Sequence, residues 1–135
     1  MRRLIVAAAF LFTLHAPGIA CPVEDLDPTT VRDLIDAAPC QRGLKIFKEC
    51  ALGSTPDAFT SEHVIEKCEA VFARRFTASE RRSYNRAKRV CTRLYSRDPR
   101  EWGTESISRL AICNAEAAAR TATLFSRMRT AKPAM

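Results

Sequence analysis

The chain is poor in the residues from which catalytic and nucleotide-binding sites are usually built. It has four glycines in 135 residues, and none forms a phosphate-cradling loop or flanks a serine in a nucleophile elbow. It has two histidines. One lies in the N-terminal leader, which leaves His63 alone in the rest of the chain. His63 sits in the polar stretch SEH at a helix start, where a lone histidine reads as solvent-facing. Glu62, Glu66 and Glu69 are spaced as ordinary surface charges near a helix start, which favours carboxylates. Widely dispersed cysteines and a single histidine do not make a metal site. No segment alternates apolar and polar residues as a half-buried strand would, and no repeat is present. These shortages exclude no fold of helices, but they leave an enzyme without support. The expectation is a non-enzymatic protein with no metal and no cofactor.

Long apolar runs are also missing, save one. The chain opens MRRLIVAAAFLFTLHAPGIA, with two arginines, an apolar run from Leu4 to Leu14 and small residues at Gly18 and Ala20. That layout reads as a Sec-type signal peptide over residues 1–20, cut after Ala20, since the run is too short to span a bilayer. No later segment is apolar enough to cross a membrane. The chain is therefore expected to be periplasmic or secreted, as a single helical domain over residues 21–131 with a flexible tail at 132–135. Two features argue against lipidation of Cys21. Gly18 stands where lipoproteins usually carry leucine, and lipidation would leave an odd number of cysteines.

Six cysteines are present: Cys21, Cys40, Cys50, Cys68, Cys91 and Cys113. An even number in an exported chain suits three structural disulfides. Cys40 and Cys50 are ten residues apart, about 15 Å along one helix, and a disulfide needs Cα atoms within about 7 Å. They should not pair with each other. Cys91 and Cys113 lie at similar heights if the chain turns back around residues 98–103, which predicts the bridge Cys91–Cys113. Cys21, Cys40, Cys50 and Cys68 can then pair in three ways. Cys50–Cys68 with Cys21–Cys40 is the preferred set.

The helix pattern is punctuated clearly. Asp27 and Pro28 mark an N-terminus, Val31, Leu34, Ile35 and Ala38 form a stripe, and Pro39 ends it. A second helix begins near Cys40, turns Leu44, Phe47 and Ala51 inward, and stops at Gly53. Thr60 reads as the cap of a third helix, with Phe59 and Val64 as a hydrophobic staple; Ile65, Cys68, Val71, Phe72 and Phe76 continue its apolar side. A kink is expected near Phe76–Thr77. The stretch Thr77–Arg97 follows as one amphipathic helix, with Thr77 and Glu80 at capping-box spacing and Tyr84, Ala87, Cys91 and Leu94 on its inner face. After the turn formers Asp98, Pro99 and Gly103, a last helix runs from Thr104 to about Met128, with Leu110, Cys113, Ala117, Leu124 and Met128 as its apolar stripe. The sum is an all-α, disulfide-stapled bundle of about five helices.

Charge is abundant but uneven. The chain carries a net +7, and ten basic and two acidic residues fall between Arg74 and Arg100. That segment is +8, so without the leader the remainder is acidic. Within it Arg82, Arg86, Arg89, Arg93 and Arg97 recur at helical steps and form a cationic stripe. Read plainly, the stripe is a solvated helix face. Read as a site, it contacts an anionic envelope component, such as lipid headgroups or an acidic polymer, through bidentate arginine bonds. Export argues against nucleic acid as that partner. Trp102, set among Arg100, Glu101 and Gly103, reads as a contact anchor or as a cap on the core.

Over roughly residues 60–126 the chain resembles the LprI-type lysozyme-inhibitor domain. The likeness rests on the arginine-rich helix RRSYNRAKRVC ending at Cys91, on Gly103-Thr104, on Cys113-Asn114-Ala115-Glu116, and on Arg120-Thr121 with Leu124. The resemblance implies a small, exported, disulfide-bonded helical protein that binds a lysozyme-like protein. Lysozymes are typically basic, so such a contact would have to use the acidic remainder rather than the +8 segment.

Overall fold

The computed structural model describes residues 21–23, 27–96 and 103–131. The expected leader over residues 1–20, Arg97, Trp102 and the expected tail at 132–135 lie outside the described residues. Five α-helices follow in order: α1 (Pro28–Ala37), α2 (Cys40–Cys50), α3 (Pro56–Phe72), α4 (Ala78–Tyr95) and α5 (Thr104–Thr130). No strand occurs among the described residues, and the fold is all-α as the pattern predicts. No helix among them is long and apolar enough to cross a membrane.

Local chemistry explains most of the boundaries. The Asp27 carboxylate accepts from the Thr30 amide at 3.1 Å and Pro28 fills the first helical position, where its missing N–H costs nothing. Pro39, in extended conformation, separates α1 from α2. Beyond α2 the chain turns through Gly53, whose φ of +68° lies in the left-handed region that favours glycine. Thr77 and Glu80 form the complete capping box at the start of α4.

The third helix starts earlier than the Thr60 cap implies. Pro56 takes its first position, and Asp57, buried to 3% exposure, organises the turn before it. Its carboxylate accepts from the Leu52 amide at 3.0 Å, the Ser54 amide at 3.1 Å and the Ser108 hydroxyl of α5 at 2.5 Å. Thr60 is instead inside the helix, its hydroxyl donating to the Pro56 carbonyl. Phe59 is 62% exposed and staples nothing, while Val64 is fully buried. Between α3 and α4 the chain breaks rather than kinks, through a 3₁₀ turn at Ala73–Arg75 and an extended Phe76.

The longest helix, α5, runs about 40 Å at 1.5 Å per residue and contacts α2, α3 and α4. Its buried face is Ser108, Ala111, Ala115, Ala118, Ala119, Ala122 and Phe125. This overturns the expected stripe: Leu124 and Met128 are 53% and 55% exposed, and Leu110, Cys113 and Ala117 are only partly buried. Helix packing rewards small side chains where axes approach closely, so the alanine row faces α3 and the bulkier residues turn away. Opposite it, Val64, Cys68 and Phe72 of α3 are buried. Ile35 of α1 and Phe47 of α2 complete the largest side chains in a continuous core. Gln41 fixes α2 to α5 by donating to the Ala119 carbonyl and the Thr123 hydroxyl, both at 2.7 Å. Lys48 pairs with Glu116 across the same seam.

All six cysteines are bonded, as Cys21–Cys50, Cys40–Cys68 and Cys91–Cys113. The third is the predicted bridge. The preferred pairs Cys50–Cys68 and Cys21–Cys40 are wrong. With α3 beginning at Pro56, α2 and α3 form a short-looped hairpin, and the chain reverses near residue 53. Cys40 then lies level with the second half of α3 and meets Cys68. Cys50 stands at the loop end, about 18 Å from Cys68 along the α3 direction, and takes the N-terminal arm through Cys21. Three such bonds suit an oxidising, extracytoplasmic compartment.

Asp57 joins the α2–α3 turn to α5, so its removal leaves two amides and a hydroxyl without an acceptor. Asp57→Ala should lower unfolding free energy by about 3 kcal/mol, and Ser108→Ala by about 1 kcal/mol, in reversible denaturant titrations. Equal, negligible effects of the two would show that the carboxylate is not the tie.

Candidate binding surface on the α4–α5 hairpin

Helix α4 stands at the edge of the bundle, packed chiefly on α5. Three contacts hold it. The Cys91–Cys113 bond spans a Cα separation of 5.7 Å. The Tyr84 hydroxyl donates to Glu69 of α3 at 2.8 Å. At the start of the helix, Phe72 and Phe76 stack at 4.4 Å, Tyr84 meets Phe72 edge-on at 5.2 Å, and Phe76 meets Phe125 edge-on at 5.7 Å. Arg75 and Arg129 lie over the Phe125 ring at 5.3 and 4.9 Å, adding cation–π attraction. Lys88 lies 3.8 Å from Glu69 and 5.0 Å from the Tyr84 ring centroid.

The arginines of this region divide into two groups. Arg75 donates to the Val71 carbonyl and Arg81 to the Ala73 carbonyl, so both are part of the break between α3 and α4. Arg82, Arg86, Arg89 and Arg93 are exposed, and their side chains make no hydrogen bond or ion pair with any described residue. They lie on the side of α4 away from Tyr84 and Cys91, as the predicted stripe requires. The fifth member, Arg97, and the proposed anchor Trp102 fall outside the described residues.

One part of the α4 pattern differs. Tyr84 and Cys91 are buried and Ala87 is half-buried, but Leu94 is 61% exposed. Leu94 instead extends a row with Val90, which is 39% exposed. Val90, with Ala87, stands on the α4 wall of a groove of about 480 Å³ between α4 and α5. Phe76, Ala87, Val90, Ala117, Leu124 and Met128 are among its apolar lining residues, and Arg120 stands on its α5 side. Its two acids are committed elsewhere. Glu80 accepts from the Thr77 amide at 2.7 Å and hydroxyl at 2.8 Å, bonds that hold its carboxyl below the usual value. Glu116 pairs with Lys48. The groove was missed in the sequence because Leu124 and Met128 read as core. A signal was available: Val90 and Leu124 are each bracketed by arginines four residues before and three after.

Elsewhere, His63 Nδ1 lies 3.1 Å from Asp36 on α1, and the Ser61 hydroxyl donates to the Ala58 carbonyl rather than to the histidine. Among the described residues, no three His, Cys, Asp or Glu side chains come together as metal ligands would.

Two predictions follow from the attachment of α4. Replacing Cys91 and Cys113 by serine should remove about 3 kcal/mol and raise amide exchange across residues 78–95, with α1–α3 still protected. Unchanged exchange in α4 would mean that its aromatic and Tyr84 contacts suffice. Burial and the Glu69 carboxylate raise the Tyr84 phenol above its ordinary value of 10.0. That contribution to stability is fully present below pH 10 and is lost as pH rises above it. Tyr84→Phe should therefore flatten the alkaline limb of a stability-versus-pH curve. An identical limb in the variant would assign the alkaline loss to other groups.

No family model, no curated protein and no solved structure matches the chain.

Proposed function

We propose that this is a non-enzymatic binding protein of the periplasm or the secreted fraction, and that its α4 arginine face engages an anionic envelope component. The observation that carries the reading is the freedom of Arg82, Arg86, Arg89 and Arg93, four exposed guanidinium groups with no carboxylate partner among the described residues. Guanidinium groups are well suited to two-pronged bonds with phosphate, sulfate or carboxylate. Aligned along one helix, they present those bonds at about one-turn spacing, about 5–6 Å, to a chain-like or surface-like polyanion. Three disulfides keep the scaffold folded while this like-charged face stays exposed. The leader-like opening of the chain supports export.

A second reading draws on the acidic side of the molecule. Asp33 and Asp36 on α1 and Glu62 and Glu66 on α3 are exposed, on two helices that meet at the Asp36–His63 contact. That face suits a basic protein, and it is where lysozyme-inhibitor-like binding would take place. The two readings use different helices, so one set of variants separates them.

Oxidised protein titrated with heparin should bind with an affinity that falls on the order of a hundredfold between 50 and 200 mM salt if four arginines each release a counterion. The Arg82/Arg86/Arg89/Arg93→Gln variant should not bind. A salt-insensitive affinity, or one untouched by the four substitutions, would defeat the arginine reading. In a lysozyme turnover assay, stoichiometric inhibition lost in an Asp33/Asp36/Glu62/Glu66→Asn or Gln variant would support the acidic face. No inhibition at either salt would eliminate it.

A further inference from the structure

We infer that the α4–α5 groove docks an amphipathic α-helix with acidic flanks, carried by a partner protein. This rests in part on the arginine-face reading, because Arg86 and Arg93 serve both. Its independent basis is the groove itself.

The groove is lined by Phe76 of the α3–α4 connection, from Glu80 to Cys91 on α4 and from Cys113 to Met128 on α5. Its α5 wall is therefore about 22 Å long, or about four helical turns, and its α4 wall about 16 Å, or about three. Both walls carry the same arrangement. On α4, Arg86 and Arg93 stand four before and three after Val90; on α5, Arg120 and Arg127 stand four before and three after Leu124. Those steps place each arginine pair beside its apolar residue on one helix face. The Cys91–Cys113 bond sets the register of the two helices. In antiparallel geometry Arg86 and Arg120 then differ by only about 3 Å in height, with Arg120 in the groove lining and Arg86 on the outer flank of α4 beside Val90. Arg93 and Arg127 fall toward the groove's opposite ends. The side chains of all four make no ion pair with a described residue. Since Glu80 is held by Thr77 and Glu116 by Lys48, Arg120 is the uncompensated charge in the groove lining, and Arg127, Arg86 and Arg93 stand just outside it.

Such a trough specifies its occupant. A helix with apolar residues at i, i+3, i+4 and i+7 fills a groove of this length, and carboxylates flanking that stripe meet Arg120 in the lining and reach the arginines just outside it. A second copy of this chain is excluded on charge, since a two-fold contact would set one +8 segment against another. An acyl chain is disfavoured by shape. Val90, Leu124 and Met128 stand 39%, 53% and 55% exposed, and a single extended chain would leave them wet, whereas a helix laid along the groove covers all three.

The test uses the full oxidised chain and a fluorescent synthetic helical peptide of about four turns, with leucine on one face and glutamate on both flanks. A lysine-flanked peptide, oleate and anionic vesicles serve as comparisons. The glutamate peptide should bind, and the lysine peptide should bind at least about tenfold more weakly. Val90→Gln, Leu124→Gln and Arg120→Gln should each weaken binding by about tenfold; all three positions are exposed, so the fold should persist, checked by circular dichroism. No binding of the glutamate peptide overturns the inference. Binding unaffected by Val90→Gln and Leu124→Gln but lost on replacing Arg82 and Arg89 would also overturn it, while leaving the arginine-face reading intact. Groove-dependent peptide binding without heparin binding would remove only the arginine-face reading. Groove-dependent binding of oleate or vesicles in place of the peptide, or Leu124-dependent dimerisation, would each replace the helix with a different occupant.

Discussion

The close contact between α3 and the alanine row of α5 governs the arrangement of the other helices. Ala111, Ala115, Ala118 and Ala122 recur at steps of three and four and are buried. With no side chain beyond Cβ, they allow a close approach of the two axes. Each contributes little apolar area of its own. The burial comes from what they admit, namely Val64, Cys68 and Phe72 of α3, all essentially inaccessible to solvent. Once α3 lies there, the α2–α3 hairpin is oriented as well. Cys40 can reach Cys68, and Asp57 can reach Ser108. A single larger residue in the row would push α3 outward and strain the disulfide, the carboxylate contact and the aromatic cluster together, since cores tolerate overpacking poorly.

The same contact explains why the large apolar residues of α5 are found outside the core. A helix 27 residues long that buries its small face must turn its bulky face elsewhere. Leu124 and Met128 thus come to line the groove beside α4 rather than the bundle interior. An apolar groove is a direct consequence of an alanine-built core. It would be absent had leucines faced α3.

Legibility in the sequence followed the range of the interactions. Caps are local, and Asp27-Pro28, Pro39 and the Thr77–Glu80 pair marked their boundaries correctly. The Cys91–Cys113 bridge was readable because one obvious turn set two helix heights. The same height argument applies to Cys40 and Cys68, but it requires α3 to start at Pro56, and Thr60 with Phe59 imitates a cap and staple well enough to hide that hairpin. The face of α5 was misread because hydrophobicity weights size, whereas the decisive property was smallness. The exposed arginines were placed correctly on α4, since charge on a helix opposite a buried cysteine and tyrosine has only one direction to face. The groove joins two helices far apart in sequence, and its walls were distinguishable only once both inner faces were known.

The arginine face bears on stability in a direction that limits its explanation. Arg82, Arg86, Arg89 and Arg93 are successive neighbours at i+3 or i+4, and like charges at those spacings destabilise a helix by about 0.2–0.5 kcal/mol per pair. None is offset by a carboxylate among the described residues. Helix α4 is also marginal on other grounds, packed mainly on one neighbour. Its capping box, the Tyr84–Glu69 bond and the Cys91–Cys113 disulfide compensate for a surface that alternating acids would have stabilised more cheaply. Covalent attachment of the most self-repelling helix is therefore a coherent pairing of features. It holds a dense cationic face in place on the bundle, at a cost to α4 that falls as salt or any anionic counter-charge screens the arginines.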